Sequence, residues 1–191
     1  DIHEVGNNPE PGYMAGSWEE EPKAGVTKVT SKGAAFTYHY AKNATEWATV
    51  EFTTEAEKGT LTGQTQYEVL KGSKFSEITA PTASGNTTDD GTWYFVGWSQ
   101  EFPDTVDKNY EFEAVWSLDS DEDDIPDDYE VTVTFKATNG TFADGRSSYT
   151  ITGGLRNAEG NWDKNGSYTL QEADIHEVGN NPEPGYMAGS W

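Results

Sequence analysis

The segment DIHEVGNNPEPGYMAGSW occupies positions 1–18 and returns letter for letter at 174–191. Eighteen consecutive identities do not arise by chance. They set a period of 173 residues, of which the chain holds one full copy plus the opening of the next. A duplicated cloning segment would give the same letters. A window on a tandem array accounts for them without one, and puts the window's edges inside a module. Arrays of this kind bury a core within each unit or between neighbours, and their purpose is length, display or multivalent binding. The array reading expects a fold that repeats.

A weaker repeat lies inside the period. EVTVTFKATNGTF at 130–142 parallels WATVEFTTEAEKGTL at 47–61, each an alternating strand running into a Gly-Thr-apolar turn. SSYTITGGL (147–155) parallels TQYEVLKGS (65–73) as a second strand. SYTLQEADI (167–175) parallels KFSEI (74–78) as a short helix or helical turn. GYMAGSW (12–18 and 185–191) parallels WYFVGWS (93–99) as a third strand, and AAFTYHYAK (34–42) parallels NYEFEAVWS (109–117) as a fourth. The order per module is β-β-α-β-β, an α+β but mostly β class. Residues 1–42 read as the C-terminal part of a split module A, 45–117 as a complete module B, 118–128 as an acidic linker and 129–191 as the N-terminal part of the next module A.

Composition fits short strands. Aromatic residues make up 13% of the chain, which supplies large side chains for small cores that aliphatics alone would not fill. Trp47, Trp93, Trp98, Trp116 and Trp191 are the expected leaders of those cores. The formal net charge of −22 repels nucleic acid and anionic membranes, and no Lys/Arg run offers a local exception. No apolar run approaches the length of a bilayer span, so no membrane insertion is expected. There is no cysteine, hence no disulfide framework and no thiolate chemistry.

The strand motifs VTVTFKATNGTFADG, YFVGWS (Tyr94 to Ser99) and YEFEAVW (Tyr110 to Trp116), with GYMAGSW and FTYHYAK, resemble the Listeria–Bacteroides repeat family, the internalin-type B-repeat modules of bacterial surface proteins. The turn EAEKGTL and the long connection APTASGNTTDDGT depart from the family's usual loops. The resemblance implies small β-grasp-like (ubiquitin-like) modules in an elongated tandem array. It implies an extracellular place on a bacterial surface, with signal and anchor outside this stretch, and a stalk or adhesive role without catalytic residues.

The linker DSDEDDIPDDYE carries a second signal. Asp119, Asp121, Asp123, Ile125, Asp127 and Glu130 fall at positions 1, 3, 5, 7, 9 and 12 of a twelve-residue calcium loop. They offer five carboxylates and one backbone carbonyl to a hard cation that takes six to eight oxygens. The stretch also resembles the D-x-D-x-D-G-I-P-D linkers of extracellular bacterial proteins, which imply Ca²⁺. Position 6 is Asp124, where the sharp turn normally takes Gly, and no long flanking helices make it an EF-hand. A plain solvated acidic linker is the other reading of the same run.

No P-loop, dinucleotide fingerprint, nucleophile elbow or paired-histidine motif is present, and the chain reads as a non-enzyme. His3 and His176 are one repeat position, and His39 lies on an expected strand. The leading function is a structural or adhesive repeat that displays other domains. The alternative is a glycan- or host-protein-binding module, for which Tyr13, Trp18, Trp93 and Trp162 are the candidate stacking residues. The expected partners are neighbouring repeats of the same array, with head-to-tail self-association by strand addition where the split module leaves open edges.

Overall fold

The computed structural model describes residues 3–191, and its regular structure is mostly β-strand. In chain order these are β1 (Tyr13–Trp18), β2 (Tyr38–Lys42), β3 (Trp47–Thr53), β4 (Gly59–Thr62), β5 (Gln66–Leu70), β6 (Ser73–Lys74), β7 (Thr82–Gly85), β8 (Thr87–Thr88), β9 (Gly91–Trp98), β10 (Thr105–Val106), β11 (Tyr110–Asp119), β12 (Glu130–Lys136), β13 (Gly140–Thr141), β14 (Ser148–Gly154) and β15 (Asn181–Pro182). One sheet has five strands in the order β5-β3-β11-β9-β8, and the remaining pairs are two-stranded. The chain separates into two compact units, Asp1–Thr53 with Gly63–Pro81 and Gln100–Phe112, and Thr54–Thr62 with Thr82–Ser99 and Glu113–Trp191.

The expected β-grasp order with a helix is not what forms. Among the described residues the only helical pieces are four three-residue 3-10 turns, and two stand where helices were expected: Phe75–Glu77 and Glu172–Asp174. The physical reasons are local. An isolated helix shorter than about 12 residues is marginal, and KFSEI has five residues before the chain must turn at Pro81. SYTLQEADI is short as well: a reciprocal cap between Gln171 and Asp174 starts a turn, and the chain leaves it again at Ile175, whose backbone is extended. The first turn still does a helix's packing work. It puts Phe75 in the core, stacked on Phe102 with ring centroids 4.6 Å apart and edge-on to Phe112 at 5.4 Å.

In the first unit the core forms from alternation on β3, where Ala48, Val50 and Phe52 are buried, joined by Phe75, Ile78, Val106 and Phe112. The Phe52 and Phe112 rings stack at 5.4 Å. The hairpin-like pair β1/β2 fastens to the start of β3. Gly12 donates its N–H to Glu46, and its carbonyl accepts from both Asn43 N–H and the Trp47 indole. Lys42 lies over the Trp47 ring at 4.5 Å and pairs with Glu68.

In the second unit Trp116 is buried above Gly59 and Gly85, whose missing side chains leave room for its ring. Its indole N–H donates to Thr54 Oγ1 at 2.9 Å. Phe142 and Tyr149 form a smaller cluster over β12/β14, with ring centroids 5.0 Å apart.

The two copies of the repeated segment fold differently. Tyr13–Trp18 is strand β1, whereas 185–191 forms no strand. Conversely Asn181–Pro182 is strand β15 on β13, whereas the same residues at 8–9 are not in a strand. One feature is common to both. Gly12 and Gly185 have φ of +86° and +90°, and the N–H of the next residue bonds back three positions at 3.0 Å each time. Glu-Pro-Gly-Tyr makes a tight turn in either setting, since Pro presets one φ and Gly permits the positive one.

The structure predicts unequal costs for matched truncations. Phe112→Ala empties a fully buried site and should destabilise by about 3–5 kcal/mol, read from urea denaturation. Phe36→Ala, on a half-buried residue just before β2, should cost less than half as much. Equal costs would contradict the assigned core.

Candidate metal centre

The 119–130 loop joins the last residue of β11 to the first of β12. Asp119 pairs with Thr92 of β9 and is 1% exposed, so its carboxylate enters the loop from inside the sheet. There it accepts three backbone N–H bonds: Glu122 at 2.8 Å and Asp123 at 3.3 Å on Oδ1, and Asp124 at 2.9 Å on Oδ2. Wrapping the chain around one carboxylate in so few residues requires left-handed backbone. Glu122 and Asp124 supply it, with φ of 61° and 67°. Position 6 therefore keeps the glycine-like conformation without the glycine, and Asp is among the residues that tolerate it. Tyr94 donates its hydroxyl to Asp124 Oδ1 at 2.9 Å, which holds this strained residue in place.

Five of the six expected ligand residues converge by their side chains. Asp119, Asp121 and Asp127 place ligand oxygens within 4.8 Å of one another, and so do Asp121, Asp123 and Glu130. Asp121 belongs to both groups. The sixth, Ile125, is held in the loop by its N–H to Asp123 Oδ1 at 2.9 Å. The donor set is all oxygen, without imidazole or thiolate, which suits a hard divalent cation such as Ca²⁺.

The electrostatics follow from this crowding. Desolvation first, and then the neighbouring aspartates, raise the Asp123 and Glu130 carboxyls above the ordinary carboxylate range. Asp127 goes the other way, because Ser120 donates both its N–H (2.9 Å) and its hydroxyl (2.8 Å) to that carboxylate. A divalent cation among these groups would replace mutual repulsion with attraction.

The flanks of the loop are tied down. Pro126 is fully buried, and Tyr129 is buried with its ring 5.9 Å from Trp162. Arg156 stacks over that same Trp162 ring at 3.5 Å, and Lys164 pairs with Asp128 at 3.4 Å. The twelve-residue spacing pointed to the carboxylates but not to this support, since Tyr94, Arg156, Trp162 and Lys164 are far away in sequence. Of the four aromatics expected as sugar platforms, Trp162 is thus engaged by Arg156 and Tyr129. Trp18 packs edge-on to Tyr38 at 5.5 Å, Trp93 lies under Lys58 at 5.1 Å, and Tyr13 stands edge-on to Trp47 at 6.1 Å.

Compared with known proteins, the chain matches no family model, and no curated protein or solved structure is significantly similar to it.

Calcium titration should raise the melting temperature, with an affinity in the weak extracellular range of roughly 10⁻⁴ to 10⁻³ M. Asp121→Asn, exposed and shared by both groups, should remove that response while leaving the metal-free melting temperature near its starting value. Affinity should fall as pH is lowered from neutral, because the raised Asp123 and Glu130 carboxyls take up protons before ordinary carboxylates do. Asp119→Ala leaves three loop N–H groups without an acceptor and should cost on the order of 1–3 kcal/mol with or without metal. A calcium response that survives Asp121→Asn would refute the site.

Proposed function

We propose that the chain is a tandem repeat of a bacterial cell-surface protein, acting as a stalk or spacer that displays other domains, with calcium stiffening one of its joints. The observation that carries this reading is the letter-for-letter return of residues 1–18 at 174–191. A period of that fidelity is of use to a protein that needs length or copy number, and of none to a solitary active site. The carboxylate loop fits the same purpose. It lies between β11 and β12, at the boundary between the second and third stretches of the repeat pattern, where a cation would cross-link consecutive modules. The −22 charge suits a surface that must stay extended and soluble. The resemblance of the strand motifs to internalin-type repeats points the same way and supports a location outside the cell. In this reading the chain performs no catalysis, and its partners are its own neighbouring repeats.

The test is dimensional. In small-angle scattering, chains of two, three and four periods should lengthen by a constant increment per period. Millimolar calcium should narrow the distribution of lengths relative to chelator, and Asp121→Asn should abolish the narrowing. Compact particles whose radius grows only weakly with period number would overturn the stalk reading.

A further inference from the structure

Strands β1/β2 near the start of the chain and β12/β14 near its end are the two halves of a sheet that the chain also contains whole. In the whole sheet, β11 lies between β9 and β3, and β3 lies between β11 and β5. The β1/β2 pair repeats the β9/β11 pair. Tyr13↔Lys42, Met14↔Ala41, Ser17↔His39 and Trp18↔Tyr38 correspond to Trp93↔Leu118, Tyr94↔Ser117, Gly97↔Val115 and Trp98↔Ala114. Each pair carries a bulge in the same interval, between the second and third of these positions. In this correspondence Phe36, Tyr38 and Tyr40 take the places of Phe112, Ala114 and Trp116, so the apolar faces agree as well. It lies one residue from the alignment read off the sequence.

The β12/β14 pair repeats β3/β5 in the same way. Val133↔Ile151 and Phe135↔Tyr149 correspond to Ala48↔Val69 and Val50↔Tyr67. The bond from Ala137 N–H to the Ser147 carbonyl corresponds to the one from Phe52 N–H to the Thr65 carbonyl, both 2.8 Å. What differs is the next neighbour. Among the described residues, β12 pairs only with β14 and β2 only with β1. Val50 is 0% exposed, whereas its counterpart Phe135 is half-buried, as are Val133, Tyr38 and Tyr40. Each half has the apolar face of a core and lacks the strand that would close it.

The open edges are opposite sides of one missing junction. In an antiparallel ladder the residues that bond across it alternate with residues whose backbone groups point outward. Ala137 bonds to Ser147, and Leu155 N–H to the Tyr129 carbonyl. Odd-numbered residues of β12 therefore face β14, while Thr132, Thr134 and Lys136 turn their N–H and C=O groups to the open side. The position on β3 that corresponds to Thr134 is Thr49, whose N–H also points away from β5 and donates to the side-chain Oδ1 of Asn109, one residue before β11, at 3.0 Å. On β2, Asn43 N–H bonds to the Gly12 carbonyl and Glu19 N–H to the Thr37 carbonyl, which leaves Tyr38, Tyr40 and Lys42 facing outward.

We propose that these edges join between two copies of the chain: β2 of one copy adds to β12 of another, giving the strand order β14-β12-β2-β1 that reproduces β5-β3-β11-β9. The segment that yields is the tail's own second copy. Met187 is 85% and Trp191 72% exposed, and Trp191 covers Phe135 and Phe142 only through ring contacts at 6.0 Å each. Because β2 and β12 are different strands, the contact is heterologous, and unless it closes into a ring it runs on from copy to copy. In a continuous array the same junction closes each module between successive periods.

Sedimentation velocity at about 0.15 M salt, where surface repulsion is screened beyond roughly 8 Å, should show weight-average mass rising with concentration past that of a dimer. Thr134→Pro removes an N–H from the open edge of β12 without touching its bonds to β14, and should hold the chain monomeric with little change in melting temperature. A chain extended beyond Trp191 by a second copy of residues 19–42 supplies the missing strand in cis at high effective concentration. It should also stay monomeric and melt higher than the parent. A parent chain that is monomeric at every concentration would overturn the junction, as would assembly that persists unchanged in Thr134→Pro or in the extended chain. None of these outcomes bears on whether long arrays act as stalks, which the scattering series reads separately.

Discussion

Strand β11 is the member on which the rest of the structure depends. A strand with a neighbour on each side has both rows of backbone groups satisfied and both faces available for packing, and β11 is such a strand. Its alternation sends Phe112 against Phe52 and Phe75 in one unit, and Ala114 and Trp116 inward in the other. Its last residue, Asp119, then becomes the anchor of the acidic loop. Core, bulge and loop all sit at fixed intervals along these ten residues, because a period of two allows no slip without turning every side chain over.

The acidic loop shows how one buried charge organises its surroundings. A carboxylate taken out of water must be compensated, and here three backbone N–H groups do so. The geometry they require brings the other acidic side chains close together, which raises Asp123 and Glu130. Compensation at the centre thus creates repulsion at the rim, and repulsion at the rim is what a divalent cation relieves. Tyr94, Trp162, Arg156 and Lys164 hold the loop and its flanks, so the carboxylates are gathered without a cation.

Much of the strand plan was legible in the sequence. The alternating segments at 47–53, 66–70, 93–98, 110–117, 130–136 and 148–154 are strands, since alternation with β-branched and aromatic residues is what a half-buried pleat demands. The five converging carboxylates were legible too, because their spacing is that of a single loop. The absence of helices longer than one turn was not legible. Short segments of mixed pattern carry no information on length beyond their own boundaries, and the chain around Phe75 needed only one turn to bury that ring. The residue-level match between the two aromatic hairpins was also off by one. Gly16 and Gly97 look equivalent as letters, but the bulge absorbs a residue and the apolar faces decide the register.

The repeated segment separates what sequence determines from what it does not. Glu-Pro-Gly-Tyr makes the same turn at 10–13 and 183–186, because the constraint is steric and lies within four residues. The residues after it are a strand at 13–18 and none at 186–191, although every letter is the same. The residues before it reverse the choice, pairing with β13 at 181–182 and with nothing at 8–9. A strand is a relation between two edges, and its hydrogen bonds exist only where a partner presents one. By itself the sequence determined the period, the turns and the alternation. Which copy became sheet was decided by the tertiary structure, through the presence of β2 beside one copy and β13 beside the other.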